Sequence, residues 1–237
     1  MSSGNIVILT GAGISRESGL DTFRDEDGIW SKVRLEDVAT PEAFHRDPAK
    51  VHGFYNARRA RLQDDDVEPN AAHRALARLE QFWQGEFLLV TQNVDDLHER
   101  AGSRNILHMH GELLKARCGM CLMILPWSGP MTVASVCPSC RCEGRMRPHI
   151  VWFGEVPLGL NRVWPALDKA DLFIAIGTSS QVYPAAGFVS HARRREGVRC
   201  VELNLEPTVS RSEFGEQAYG PATEIVPAFV ESLLREL

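Results

Sequence analysis

Four cysteines in the middle of the chain are spaced as two pairs. Cys118 and Cys121 form a C-x2-C pair, and Cys137 and Cys140 form a second pair after fifteen intervening residues. Each C-x2-C turn presents two thiolates on one side, so two such turns complete the tetrahedral shell of a zinc ion. A shell of four thiolates leaves no position for water. The spacing therefore predicts one structural Zn²⁺ and places any catalysis elsewhere in the chain.

Disulfide bonds and idle thiols are the alternatives to zinc. The first residues, MSSGNIVILTGAG, lack the charged region, apolar region and cleavage site of an export signal. We therefore expect a cytoplasmic setting, in which disulfides are rare. Cys142, in the sequence CPSCRC, is a further thiol that could replace Cys140 as a ligand, but the C-x2-C spacing favours Cys137 with Cys140.

Two histidines lie two residues apart in the segment LHMHGEL. In an extended segment His108 and His110 would point to the same side, as a metal-binding pair does. An imidazole with an unperturbed pKa of about 6.5 is equally suited to accept a proton near neutral pH. The four thiolates account for one metal ion without these histidines, so the residues alone leave proton transfer and a second metal site as the two interpretations.

The composition indicates a globular protein without a strongly charged surface. Of 237 residues, 44% are hydrophobic and 24% are charged, and 26 basic against 31 acidic residues give a net charge of −5. This balance supplies no field that would draw the chain onto nucleic acid. No apolar run approaches the roughly 18 residues of a membrane span. We expect neither nucleic acid nor a membrane as a partner.

Short apolar runs recur along the chain, and each is followed by a polar loop. We predict buried parallel strands over residues 5–9, 86–90, 172–176 and 198–203, and helices over 41–62, 70–84, 184–195 and 226–237. This alternation predicts an α/β fold with a doubly wound parallel sheet. Such sheets bind ligands at the carboxyl ends of their strands, so the loops TQNVDD, GTSSQV and NLEPT should share one crevice with the loop after the first strand.

That first loop, GAGISRESG, contains Gly11, Ala12 and Gly13. Without side chains, the two glycines would let backbone amides approach a diphosphate. A dinucleotide-binding fingerprint has a third glycine where this sequence has Arg16, and no acidic residue ends a clear second strand about twenty residues later. By itself the loop is therefore equally consistent with a structural tight turn.

The segments GAGISRESGLDTFRDEDGIW, TQNVDDLHERAG, LHMHGEL, RPHIVWFGE, GTSSQVYPAAG and LNLEP, with the cysteine pairs between the third and fourth, resemble the sirtuin family of NAD-dependent protein deacylases. The resemblance covers nearly the whole chain and is strongest to the bacterial CobB-like branch. It implies a Rossmann-like NAD-binding domain over about 1–30, 85–112 and 165–237. A smaller domain would comprise a helical part over about 31–84 and a zinc module over about 113–164.

The same resemblance implies a role for individual residues. His110 is similar to the catalytic base, whereas His108 is expected to be a packed structural histidine. Asp95 is similar to the carboxylate that receives the nicotinamide carboxamide. The remaining positions that resemble NAD contacts are Gly11, Ala12, Gly13, Phe23, Arg24, Trp30, Gln92, Asn93, Gly177, Thr178, Ser179, Asn204, Glu206 and Ala218.

Tyr55 and Arg58 carry the sharpest signal for substrate choice. They lie at i and i+3 in VHGFYNARRARL, where a phenol and a guanidinium on one helical face could bind one carboxylate. A solvated basic helix is the alternative, but Tyr-x-x-Arg resembles sirtuins that remove succinyl or malonyl groups. The segment VWFGE resembles the strand edge that pairs with the substrate backbone, and its expected contacts are Val151, Phe153 and Gly154.

The expected function is NAD-dependent deacylation of lysine in acylated proteins, which the resemblance implies yields nicotinamide, free lysine and O-acyl-ADP-ribose. Transfer of ADP-ribose to a protein from the same NAD site is the first alternative. A zinc-ribbon module that binds a partner without catalysis is the second. The second alternative explains the cysteines but leaves the glycine loop, TQNVD and HMHG unexplained.

Overall fold

The computed structural model of the protein describes residues 4–20 and 34–236. Its strands are formed by short runs rich in β-branched and aliphatic residues, with polar residues at the strand ends. In chain order they are β1 (Ile6–Thr10), β2 (Phe87–Thr91), β3 (Ile106–His108), β4 (Gly111–Cys118), β5 (Ile124–Pro126), β6 (Met146–Ile150), β7 (Leu172–Ile176), β8 (Arg199–Asn204) and β9 (Glu216–Tyr219).

Six of these strands form one parallel sheet in the order β3-β2-β1-β7-β8-β9. The chain runs outward from β1 to β3 and then returns to place β7 on the other side of β1. This reversal between β1 and β7 is the topological switch point at which doubly wound sheets bind ligands. The predicted doubly wound parallel sheet is confirmed, and the four predicted strands are found within one residue of their expected bounds.

Helices cover both faces of the six-stranded sheet because alternate residues of each strand point to opposite sides. Val7 and Leu9 of β1 pack on one face with Phe188, and Ile6 and Ile8 pack on the other face. In chain order the helices are α1 (Leu35–Val38), α2 (Pro41–Arg46), α3 (Pro48–Leu62), α4 (Ala71–Phe82), α5 (Leu97–Ala101), α6 (Leu160–Lys169), α7 (Phe188–Ala192) and α8 (Ala222–Arg235).

The single helix predicted over 41–62 is wrong, because the chain breaks at Asp47 into α2 and α3. The Asp47 side chain accepts the backbone N–H of Lys50 at 2.9 Å, and Pro48 occupies the first helical position. An acidic cap followed by proline is a typical helix start. The helix predicted over 184–195 is also shorter than expected: a 3-10 turn at Ala185–Gly187 precedes α7.

A second sheet, antiparallel and three-stranded, has the order β5-β4-β6. Its far end packs around a small core that includes Met131 and Met146 together with Cys118 and Cys137. Its near end packs with α1 to α3 in a separate apolar cluster that includes Val51, Phe54, Leu62, Leu113 and Ile150. The predicted domain boundaries stay a prediction.

Across residues 4–20 and 34–236, none of the helices combines the length and the apolar character that a bilayer crossing requires.

Candidate active site and metal centre

The loops after β1, β2, β7 and β8 meet at the carboxyl edge of the large sheet. Gln92, after β2, donates from Nε2 to Oγ1 of Thr178 at 2.9 Å. Asn204, at the end of β8, donates from Nδ2 to the carbonyl oxygen of Thr178 at 2.8 Å. Side chains predicted from three separate segments are therefore in direct contact at the switch point of the sheet.

The loop after β1 packs so closely on the loop after β7 that only glycine fits at positions 11 and 13. A Cβ at Gly11 would lie 2.7 Å from the carbonyl oxygen of Gly177, and one at Gly13 would lie 2.8 Å from the Cα of Gly177. The Gly13 N–H donates to the Gly177 carbonyl at 2.9 Å, and the Gly11 N–H donates to Ile176 at 3.0 Å. These two amides are engaged within the protein. The glycines therefore allow backbone to pack on backbone, and the approach of a diphosphate to this loop stays a prediction.

A buried polar network lies beneath this edge of the sheet. Ser15 donates to Oδ2 of Asp95 at 3.1 Å and accepts a hydrogen bond from Nδ2 of Asn93 at 3.0 Å. Nε2 of His73 lies 3.4 Å from the same hydroxyl. Nδ1 of His73 accepts the backbone N–H of Asn70, which places the imidazole proton on Nε2, facing Ser15. The sequence analysis identified Asn93 and Asp95 but neither Ser15 nor His73.

Burial sets the charge state of this network. Burial raises the pKa of Asp95, although the Leu97 N–H and the Ser15 hydroxyl oppose the shift. Burial also lowers the pKa of His73 to about 4. Both groups are therefore biased toward their neutral forms, which suits a site for an uncharged polar ligand group.

His110 lies in the turn between β3 and β4, where its ring bonds to the loop after β2. Its Nδ1 lies 3.1 Å from the carbonyl oxygen of Gln92. A carbonyl can only accept, so Nδ1 carries the proton and Nε2 keeps its lone pair. Burial lowers the pKa of His110, although the bond to Gln92 opposes the shift. His110 is thus prepared to accept a proton through Nε2.

His108 has the opposite charge preference. Its Nδ1 lies 3.2 Å from the carbonyl oxygen of Asn93, and its Nε2 lies 2.6 Å from Oε1 of Glu99. Both partners are acceptors, which favours the doubly protonated ring. Burial opposes this charge, but the Glu99 carboxylate prevails and the pKa of His108 is raised. The environments of the two histidines move their pKa values apart, so His110 is suited to accept a proton and His108 to carry a charge.

Tyr55 and Arg58 lie on α3, beside the chain that leaves His110. The Tyr55 side chain is buried, and its hydroxyl accepts a hydrogen bond from Nε1 of Trp152 at 3.0 Å. The next residue back, Val151, donates its N–H to the carbonyl of His110 at 2.9 Å. The guanidinium carbon of Arg58 lies 5.7 Å from the ring centroid of Phe54. The phenol is therefore linked to the backbone of His110 through two consecutive residues.

The segment VWFGE is a turn that follows β6, since the strand ends at Ile150. The Phe153 N–H donates to the carbonyl of Ala39 at 2.9 Å, and Gly154 adopts φ of 89°, a conformation that favours glycine. Phe153 is 48% exposed, and the role of the segment in pairing with a peptide backbone stays a prediction.

The remaining predicted NAD contacts are partly or fully exposed, lie in β9, or fall outside the described residues. Phe23, Arg24 and Trp30 lie outside the described residues. Ser179 is the third residue after β7 and is partly exposed, and Glu206 is exposed beyond the end of β8. Ala218 lies in β9, a strand that the sequence analysis did not predict, and pairs with Leu203 of β8.

The four predicted cysteine ligands form one group whose sulfur atoms all lie within 4.8 Å of one another. The Cys118 and Cys140 sulfurs are 3.7 Å apart, as are those of Cys121 and Cys137. A tetrahedral site with Zn–S bonds of about 2.3 Å has sulfur atoms about 3.8 Å apart. The residues therefore fit a structural zinc ion, which would hold the far end of the small sheet together. Cys142 is not a member of this group.

The charge of the cysteine group also fits a cation. Backbone N–H groups of Cys121 and Met120 lower the pKa of the Cys118 thiol to about 6. The Cys142 N–H acts in the same direction on Cys140, but burial and the neighbouring thiols prevail and raise its pKa to about 12. Neighbouring thiols therefore resist joint ionisation in the absence of a metal, and a bound Zn²⁺ would remove that conflict.

Comparison with known proteins agrees with this geometry. Residues 11–184 match the Sir2 family. The NAD-dependent protein deacylase of Escherichia coli (strain K12) is 56% identical over 237 residues, which is 100% of this chain and 85% of that protein. The NAD-dependent protein deacylase of Vibrio vulnificus (strain YJ016) is 55% identical over 233 residues, which is 98% of this chain and 95% of that protein.

Solved structures give the same result. A Sir2 homologue mutant in complex with ADP-ribose has a TM-score of 0.89 at 38% identity, covering 98% of this chain and 92% of the other. A complex of a Sir2 homologue with NAD has a TM-score of 0.87 at 38% identity, covering 98% and 89%. The resemblance read from the sequence motifs is confirmed, and the chain belongs to the Sir2 family.

Proposed function

We propose that this chain, an NAD-dependent protein deacylase of the Sir2 family, removes acyl groups that end in a carboxylate, such as succinyl and malonyl, as well as acetyl. The observation that carries the proposal is the pair Tyr55 and Arg58 on one face of α3. Tyr55 is linked through Trp152 and Val151 to the backbone of His110. A hydroxyl and a guanidinium on one helical face suit the carboxylate at the far end of a short acidic acyl chain.

His110 is the proposed general base. In this proposal NAD is a substrate, nicotinamide leaves, and the acyl oxygen bonds to C1′ of the ribose. Nε2 of His110 then accepts the proton of a ribose hydroxyl, whose oxygen attacks the acyl carbon. The bond from that carbon to the lysine nitrogen breaks, the nitrogen takes up a proton and lysine leaves as the amine, and a water molecule adds to the acyl carbon to complete the ester product. The products are nicotinamide, deacylated lysine and O-acyl-ADP-ribose. The support within the chain is the Nδ1 bond to Gln92, which leaves Nε2 free of a proton.

We assign the nicotinamide end of NAD to the buried network around Asp95. A carboxyl group biased toward its neutral form and the amide of Asn93 can exchange hydrogen bonds with a carboxamide. Gln92, Thr178 and Asn204 are joined by hydrogen bonds at the sheet edge and would face the ribose and phosphate groups. Analysis of products separates this function from ADP-ribosyl transfer, because transfer would leave a labelled protein and no O-acyl-ADP-ribose.

Acylated lysine in an extended protein segment is the proposed substrate, and we propose no direct partnership with nucleic acid. The location that we propose is the cytoplasm, because a set of closely spaced free thiols suits a reducing compartment.

Arg58→Met should lower kcat/KM for a succinyl-lysine peptide by about ten- to hundred-fold. That range corresponds to the loss of a charge-assisted hydrogen bond of about 1.5–3 kcal/mol. Tyr55→Phe should have a smaller effect in the same direction, because it removes one hydroxyl group. Acetyl-lysine offers no carboxylate, so its turnover should survive in both variants. The measurement is kcat/KM for matched succinyl and acetyl peptides.

Arg61→Met is the matched control for the charge. Arg61 lies on the same helix but pairs with Asp64 and Asp66 at the surface, so its replacement should leave the ratio of the two substrates unchanged. Parallel losses for succinyl and acetyl peptides in Arg58→Met would show that this helical face is structural.

The pH dependence of kcat/KM should reflect the lowered pKa of His110. Its lowered pKa keeps the ring unprotonated to lower pH, so the acid limb of kcat/KM should have its midpoint below about 6.5, the ordinary histidine value. The loss occurs as pH falls, because protonation of Nε2 removes the base. His108→Gln should leave this midpoint in place. A midpoint above 7 that moves in His108→Gln would assign the limb to His108.

A further inference from the structure

The indole of Trp152 contacts both the phenol of Tyr55 and the partly buried ion pair of Arg147 with Glu155. Trp152 is 2% exposed, and its Nε1 donates to the Tyr55 hydroxyl oxygen at 3.0 Å. The guanidinium carbon of Arg147 lies over the face of the indole, 3.4 Å from the ring centroid of Trp152. The guanidinium of Arg147 donates to both carboxylate oxygens of Glu155 at 2.7 and 2.9 Å.

The ion pair holds the indole in one orientation. Besides accepting both bonds from Arg147, Glu155 accepts the backbone N–H of Trp152 at 2.9 Å. The indole is thus fixed through its own backbone and through a cation stacked on its face. The ring quadrupole attracts a cation placed over its face, so this contact also resists rotation of the indole away from Tyr55.

This arrangement decides what the Tyr55 hydroxyl can do. An indole N–H can only donate, whereas a phenol oxygen accepts and also donates its own proton. The Trp152 N–H donates to the Tyr55 oxygen and cannot accept in return. The Tyr55 O–H must therefore donate to a different group, and that group must be an acceptor. Burial raises the pKa of Tyr55 to about 12, while the nearby Arg58 opposes the shift, so the proton stays on the phenol at neutral pH. A carboxylate consists only of acceptors and is the complement of this donor.

We propose that Trp152 is a positioning residue for acyl selectivity, which acts by holding the Tyr55 hydroxyl as a donor to a carboxylate-bearing acyl chain. The inference rests on the proposed function, and it adds a residue outside the Tyr-x-x-Arg pattern to the selectivity site. In this proposal Trp152 acts only through Tyr55 and has no contact with the reacting atoms.

Trp152→Phe tests the inference because it keeps an aromatic ring beneath Arg147 and removes the N–H. We expect kcat/KM for a succinyl peptide to fall about two- to ten-fold, the effect of one neutral hydrogen bond, mainly through KM. The acetyl peptide should change less than about two-fold by the same reasoning. Trp164→Phe is the matched control, since Trp164 packs against Phe188 and His191 in another part of the protein.

A double-mutant cycle separates positioning from a general structural effect. In the Tyr55→Phe background the indole has no hydroxyl to hold, so Trp152→Phe should cause no further loss. Equal losses for both substrates, or the same loss in both backgrounds, would overturn the inference. If Arg58→Met is selective and Trp152→Phe is not, the inference alone fails. If Arg58→Met lowers kcat/KM equally for the succinyl and acetyl peptides, the proposed acyl preference fails and the inference fails with it.

A spectroscopic measurement avoids replacement of Trp152 if that variant does not fold. The indole N–H resonance of Trp152 should shift when a succinyl peptide binds to the wild-type protein, and it should not shift on binding to Tyr55→Phe. A resonance that responds identically in both proteins would contradict the inference.

Discussion

Replacement of His110 by alanine should reduce deacylation by about 10²- to 10⁴-fold, the contribution of a positioned general base, and should leave NAD affinity nearly unchanged. The reason lies in the ring's contacts: Nδ1 is bonded to Gln92, and the proposed role of Nε2 begins after NAD has bound. The measurements are single-turnover release of deacylated peptide and the dissociation constant of NAD.

His45→Ala is the control for the loss of an imidazole, because His45 is exposed on α2. It should behave as the wild type in both measurements. Turnover near the wild-type value in His110→Ala would contradict the assignment. A comparable loss of NAD affinity would instead identify His110 as part of the NAD contact surface.

Loss of two zinc ligands should have the largest effect on stability. Cys118→Ala combined with Cys137→Ala removes one ligand from each C-x2-C pair, so we expect loss of the metal and unfolding of the far end of the β5-β4-β6 sheet. Structural zinc supplies about 10–16 kcal/mol of apparent binding free energy in zinc-finger peptides, and there it is folding free energy. The measurements are zinc per chain by elemental analysis and amide hydrogen exchange in β4 to β6.

Cys142→Ala is the matched control because Cys142 lies beside the group and is not a member of it. This variant should keep one zinc per chain and the wild-type exchange rates. One zinc per chain retained in the double variant would contradict the assigned ligands. The double variant should also lose activity, since β4 begins directly after His110 and ends at Cys118.

The fold was predictable where local pattern and burial agree. The central strands β1, β2, β7 and β8 are apolar runs, and sequence reasoning placed them within one residue. The edge strand β9 (Glu216–Tyr219) was missed because its sequence, EQAY, is polar and largely exposed. The break at Asp47 was also missed, although a capping aspartate followed by Pro48 was present in the sequence. Helix α6 was missed because its interior contains Pro165.

Residue types that resemble a family motif identified the candidate site, and the structure brings Gln92, Thr178 and Asn204 of that set together. The contacts that orient those residues were not predictable, because they join segments far apart in sequence. Ser15 reaches Asp95 across 80 positions, and Trp152 reaches Tyr55 across 97 positions. Only His73 carried a local signal, since it is the third residue after the helix-capping Asn70. Sequence reasoning finds groups that react, whereas the groups that hold them require the folded chain.

The contact of Gly11 and Gly13 with Gly177 has a consequence for motion. Backbone atoms of the two loops are so close that even a methyl group would collide, and the Gly13 N–H joins the loops directly. The described parts of the two loops, residues 11–13 and 177–178, should therefore move as one unit. A displacement of either segment during binding should then appear in the backbone amides of both.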